Sequence, residues 1–132
     1  MLTAGELVAL AGEMRAKAYA PYSRFQVGAA LECADGCVFT GCNIENAAYS
    51  PCICAERAAV CRAVCEGRTD FVRIAIISSG EGLCFPCGVC RQTLCEFNPS
   101  LTVLCADREG RYREFTLTEL LPHAFGPKAL EA

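Results

Sequence analysis

Apolar and polar positions along this chain switch repeatedly between the helical and the strand period. Thr3 and Glu6 form a capping box, and Leu7, Leu10, Ala11, Met14 and Ala18 follow at helical spacing, which predicts a helix that Pro21 stops. Phe25–Cys33 and Val38–Cys42 read as a strand pair turned by Ala34, Asp35 and Gly36. A loop through Asn43, Glu45, Asn46 and Tyr49 leads to Ser50-Pro51, which predicts the start of a second helix over Cys52–Glu66, ended by Gly67. Phe71–Ser78 is rich in β-branched residues and reads as a strand, followed by a Gly-containing loop over Ser79–Leu83. Pro86, Cys87 and Gly88 open a third helix that reaches about Phe97. Leu101–Ala106 and Tyr112–Thr116 read as strands joined by a turn at Asp107–Gly110, and Thr118–Leu121 as a helical turn before Pro122. This order predicts one α/β domain over residues 1–132, a three-layer α/β/α sandwich around a mixed five-stranded sheet. Strand–helix–strand crossovers favour parallel pairing, and the short Asp107–Gly110 turn favours an antiparallel final pair.

Composition narrows the function. The hydrophobic fraction of 53% and mean hydropathy of +0.28 are high for a small monomer, so some apolar surface is expected to meet a partner subunit. No stretch approaches the ~18 apolar residues of a membrane helix, and the Met1 end lacks the features of a signal peptide, so a cytoplasmic protein is expected. Net charge is −3 and the twelve Lys and Arg are scattered, which argues against a nucleic acid polymer as partner and for a small substrate. Twelve cysteines could make a disulfide framework, but the long helix and strand patterns favour free thiols in a reducing compartment.

The cysteines also carry the chemistry. Cys54-Ala55-Glu56-Arg57 is followed by Pro86-Cys87-Gly88-Val89-Cys90-Arg91-Gln92, with Cys87 and Cys90 on one face of a helix's first turn. Three thiolates suit a zinc ion and leave a fourth tetrahedral position for water, whose proton Glu56 is spaced to handle. The same spacing characterises zinc-dependent nucleobase deaminases, with Cys54 here standing where that pattern has His. A closed four-cysteine structural site would need Cys84 or Cys52 as fourth ligand. Cys52 is two residues from Cys54 and points elsewhere on a helix, Pro86 interrupts the Cys84 segment, and Glu56 would only repel a purely structural thiolate cluster. Three thiolates on Zn²⁺ leave a net charge of −1, which an Arg57 guanidinium donating to the sulfurs would offset. The other nine cysteines read as small buried hydrophobes, with Cys61 and Cys65 on the Cys54 face packed into the core. His123, the lone histidine, reads as a surface or packing residue.

Beyond the metal motif, Ala20-Pro21-Tyr22-Ser23-Arg24-Phe25-Gln26-Val27-Gly28-Ala29-Ala30, Gly41-Cys42-Asn43-Ile44-Glu45-Asn46-Ala47-Ala48-Tyr49-Ser50 and Leu120-Leu121-Pro122-His123-Ala124-Phe125 stand in order along the chain. With these segments nearly the whole chain resembles the short, homotetrameric cytidine deaminases, hydrolases of pyrimidine salvage that act on cytidine and deoxycytidine. The resemblance implies one zinc per chain on Cys54, Cys87 and Cys90, with Glu56 as proton shuttle. It implies that Asn43 and Glu45 hold the ribose, that Phe25 flanks the pyrimidine, and that the Ala55 backbone contacts the base. It also implies that Phe125 and Tyr49 reach the site from neighbouring subunits. Two other readings stand beside it: deamination of a cytosine-containing antibiotic of the blasticidin type, and a non-catalytic zinc-stabilised structural module.

Overall fold

The computed structural model describes residues 1–131. Helix α1 (Ala4–Arg15) starts on the expected capping box, where Glu6 N–H donates to the Thr3 hydroxyl at 3.1 Å and Thr3 N–H to the Glu6 carboxylate at 2.8 Å. It ends at Arg15, so Ala18 lies outside it in the turns that precede Pro21. Strands β1 (Val27–Cys33) and β2 (Val38–Cys42) form an antiparallel pair, with Gly36 at the turn taking the positive φ of 89° that glycine tolerates.

Helix α2 spans Ala55–Cys65, three residues shorter at its start than the sequence predicts. Ser50-Pro51 satisfies the local rule for a helix start but forms a turn. Ile53 instead exchanges two backbone hydrogen bonds of 3.0 Å with Ile44, which holds the segment extended up to Cys54. Strand β3 (Phe71–Ser78), helix α3 (Gly88–Phe97), and strands β4 (Thr102–Ala106) and β5 (Tyr112–Thr116) follow as expected within a residue. The helical turn α4 (Leu117–Leu120) carries a second capping box, Thr116 with Glu119, and a 3-10 turn at Pro127–Leu130 was not foreshadowed by the sequence.

The sheet order is β2-β1-β3-β4-β5. The β3–α3–β4 crossover gives the one parallel pair described. The β2–α2–β3 crossover steps over β1, which pairs antiparallel with both neighbours. As anticipated, β5 is antiparallel to β4. Leu7, Val8 and Ala11 of α1 pack on Ala30, Ala75, Ile77 and Leu104 on one face of the sheet. The other face, with Ala29, Leu31, Ile74, Ile76 and Val103, receives Ala59, Val60 and Ala63 of α2 and Leu94 of α3. The architecture is therefore the expected three-layer sandwich, and its inner strands read as near-continuous apolar runs because both faces are covered.

Two glycines set how closely helices seat on the sheet. A Cβ on Gly28 would fall 1.9 Å from the Ala11 carbonyl of α1, and one on Gly41 only 2.5 Å from Ala55 O and Ala59 N of α2. Gly41 thus fixes the height of α2 over β2, directly beneath the residues that open the helix. Cys61 and Cys65 are not core residues: both are exposed. The sheet-facing side of α2 is Ala55, Glu56, Ala59, Val60 and Ala63, and a phase counted from Cys54 fails because Cys54 precedes the helix and caps it. Cys33, Cys84, Cys95 and Cys105 are buried as expected, while Cys37, Cys42 and Cys52 are half-buried. His123 lies on the surface, with a positive φ of 55°.

Candidate active site

Two helix starts meet at one end of the sheet. Cys54 is the N-cap of α2 and Cys87 the N-cap of α3, both with extended backbone, and Cys90 sits in the first turn of α3. The three sulfurs lie within 4.8 Å of one another, with Cys54 and Cys87 Sγ 3.7 Å apart. A tetrahedral zinc with Zn–S of about 2.3 Å needs sulfurs about 3.8 Å apart, so the donor set and its spacing fit that ion. Among the described residues no further Cys, His, Asp or Glu joins this group. Cys84 and Cys52 line the adjoining cavity but lie outside it, and Cys52 is engaged with the Asn46 backbone, so neither closes a four-cysteine site.

The cavity beside the sulfurs measures about 270 Å³. Glu56, in the first turn of α2 and only 4% exposed, borders it together with Ala55, whose side chain is fully buried. Phe25, Val27, Ile53 and Phe85 supply apolar walls, and Asn43, Glu45 and Arg57 polar ones. Asn43 accepts from Val27 N–H at 2.9 Å and donates to the Phe25 carbonyl at 2.8 Å, so it also braces the backbone that carries the Phe25 ring. Glu45 accepts from the Tyr22 and Ser23 amides at 3.0 and 3.1 Å and from the Ser23 hydroxyl. Arg57 Nη2 donates to Cys54 Sγ at 3.5 Å, the contact expected of a guanidinium that draws charge from the sulfurs. Its buried Nε has no hydrogen-bond partner among the described residues.

Tyr49 and Phe125 are not brought to this cavity. Tyr49 is 72% exposed and meets Tyr22 edge-on. Phe125 is 61% exposed on a separate apolar groove near the C-terminus, its carbonyl accepting from Gln92 Nε2 at 2.8 Å. Phe85 and the bracing role of Arg91 escaped the sequence reading. Arg91 Nε donates to the Pro86 carbonyl at 2.8 Å and Nη1 to the Leu120 carbonyl at 2.6 Å, fixing the segment that delivers Cys87. The available signal was position alone, next to Pro86-Cys87 and Cys90.

Residues 2–106 match the family model of the cytidine and deoxycytidylate deaminase zinc-binding region. The chain belongs to this deaminase family. It is 45% identical to a cytidine deaminase of Sporosarcina psychrophila, over 95% of this chain and 93% of that protein. It is 48% identical to one from Halalkalibacterium halodurans, over 90% of this chain and 91% of the relative. Among solved structures, the cytidine deaminase of Burkholderia pseudomallei superposes with a TM-score of 0.90 at 45% identity, covering 94% of this chain and all of the other. The family read from the sequence motifs and the sandwich fold are thereby borne out.

Charge in this deaminase site is arranged by burial and by the sulfurs. Burial pushes the Glu56 carboxyl up to about 7, and the neighbouring Cys54 charge adds to the shift. Cys54 is held down at about 5, chiefly because the Cys90 thiol hydrogen-bonds to its thiolate, with Arg57 and Cys87 assisting. Cys90, the donor in that pair, is shifted up by the same bond and by burial. A cation at the centre of the trio is what would let all three lose their protons together. Burial pushes Cys84 up to about 11, keeping it a neutral thiol beside the cavity.

Proposed function

We propose that this chain hydrolytically deaminates cytidine and deoxycytidine to uridine and deoxyuridine, releasing ammonia. The observation that carries the reading is a buried carboxyl beside three zinc-spaced sulfurs at the end of a nucleoside-sized cavity. Family membership and the cytidine deaminase names of relatives spanning most of the chain support the substrate. Cys54, Cys87 and Cys90 hold one zinc per chain, which when bound polarises a water and makes it nucleophilic at neutral pH.

The chain's own residues supply the rest. Glu56 takes a proton from the attacking water and passes it to N3 of the pyrimidine, which makes C4 electrophilic. Once the water's oxygen has bonded to C4, Glu56 carries a second proton to the exocyclic amine, and the C–N bond breaks to release ammonia. Burial, which raises this carboxyl, suits a group that must both take and give a proton. Arg57 holds the Cys54 sulfur and moderates the cluster's negative charge. Asn43 and Glu45 bind the ribose hydroxyls, Phe25 flanks the ring and the Ala55 backbone meets the base. Their shared place around one cavity supports these roles.

The active form is a homotetramer in which Phe125 and Tyr49 each enter a neighbour's site. Their exposure away from their own cavity and the apolar composition of the chain favour this arrangement. The reading also places the protein in the cytoplasm, in pyrimidine salvage. No helix among the described residues is long and apolar enough to cross a membrane.

Ultraviolet assays of cytidine and of a blasticidin-type nucleoside, with zinc measured on the same sample, test the substrate. Cytidine turnover at roughly stoichiometric zinc is expected. Turnover of the antibiotic alone, or of neither by a zinc-loaded protein, would refute the proposal. For the assembly, mixing Phe125→Ala with Glu56→Gln chains should restore part of the activity that each lacks, whereas a fully active monomer in light scattering contradicts it.

A further inference from the structure

Phe85 stands out among the walls of the cavity. It is the second residue before Cys87, is 44% exposed, and has no role in the fold's core. Its ring does not hang free: it packs on Phe115 of β5 with centroids 5.3 Å apart and planes tilted by 60°, and the Arg113 guanidinium covers the Phe115 ring at 5.1 Å. An exposed aromatic held from behind by a second aromatic and a cation is a preorganised surface rather than a mobile side chain.

Its place along the cavity says which part of a ligand it meets. It lines the cavity together with Cys54, Glu56 and Cys87, the groups placed at the reaction, and with Asn43 and Glu45. Phe85 precedes the sulfur of Cys87 by only two residues, in the segment whose Pro86 carbonyl Arg91 clamps, which ties its ring to the cysteine side. For deamination, C4 must sit beside Glu56 and the sulfurs. The atoms bonded to C4 on its outer side are the exocyclic nitrogen and C5. We infer that the Phe85 ring walls this amine edge and limits the size of what C5 and the amine can carry. It is a specificity residue, with Phe115 positioning it. This inference rests on the deaminase reading.

The test compares wild type, Phe85→Ala and Phe85→Leu on cytidine, 5-methylcytidine and N4-methylcytidine. The readout is each modified substrate's kcat/KM relative to cytidine in the same preparation, so partial loss of folded enzyme cancels. One methyl group against a hydrophobic wall changes discrimination by about 10–200-fold. The relative kcat/KM of at least one methylated substrate should therefore rise about tenfold or more in both variants. Phe115→Ala should move the same ratio in the same direction by less. Binding of uridine and 5-methyluridine, measured by calorimetry on the zinc-loaded proteins, gives a readout independent of turnover, and the preference for uridine should shrink in the same variants. Ratios that stay within twofold for both substrates and both products overturn the role of Phe85 while leaving cytidine turnover, and hence the deaminase reading, intact. A wild type that binds these nucleosides but turns none over refutes the deaminase reading instead, and the calorimetric ratios still decide whether Phe85 walls the ligand.

Discussion

Helices α1 and α4 begin differently from α2 and α3. At the first pair, Thr3 and Thr116 accept the N–H of Glu6 and Glu119, and the glutamates return the bond. At the second pair the capping residues are Cys54 and Cys87, and neither side chain accepts a capping hydrogen bond. Each cysteine forgoes the roughly 1 kcal/mol that a Ser, Thr or Asp cap contributes. In return, the positive ends of two helices meet at the same sulfurs, which favours thiolate over thiol. The helices whose starts obey the local rule hold up the fold, and those that break it build the site. Departures from local preference mark function here because nothing in the local chain rewards them.

Cys87→Ser supplies a good helix cap and a poor zinc ligand. Zinc content and turnover should both collapse. In metal-stripped samples the variant should equal or exceed wild type in thermal stability, by up to about 1 kcal/mol. Full zinc retention, read by elemental analysis, would remove Cys87 from the ligand set.

Gly41→Ala attacks the seat of α2 rather than its cap. Backbone atoms of Ala55 and Ala59 stand 2.5 Å from the new methyl, so the helix must lift. Overpacking of this kind costs about 1–3 kcal/mol. Differential scanning calorimetry should show a lower Tm, and kcat should fall because Glu56 moves with the helix. A variant with unchanged Tm and kcat would show that α2 is not held at this height.

Thr3→Ala acts on a helix start on the opposite face of the sheet from the sulfurs. Loss of the α1 cap should cost about 1 kcal/mol in urea unfolding, with kcat per folded chain unchanged. A fall in kcat would mean that α1 is coupled to the site across the sheet. The smallest effect is expected at the far end of α2. Cys61→Ser with Cys65→Ser should leave zinc content unchanged and stability within about 0.5 kcal/mol, as for exposed positions generally.

The sequence reading succeeded where structure follows from near neighbours. The Thr3–Glu6 box, the β-branched run of β3 and the short motifs Cys54-Ala55-Glu56 and Cys87-Gly88-Val89-Cys90 each depend on residues a few positions apart, and the fold brings the two motifs, 33 residues apart, to one place. It failed where a distant partner decides. Ser50-Pro51 looks like a helix start, but Ile44 captures Ile53 in a two-stranded bridge and delays α2 to Ala55. That delay also removes Cys61 and Cys65 from the face assigned to them. Phe85 gains its place only through Phe115, thirty positions on and two strands later, so no local pattern could expose it.

In the proposed mechanism the buried carboxyl at the start of α2 moves the protons while the sulfurs hold the metal. Glu56→Gln separates the two, since the amide keeps size and shape but cannot carry a proton between water and N3. Cytidine turnover and zinc content should be measured on the same purified samples of wild type and variant. Equal zinc and a loss of about 10²–10⁴-fold in kcat are expected. Equal zinc with a loss of less than tenfold would contradict this role of Glu56.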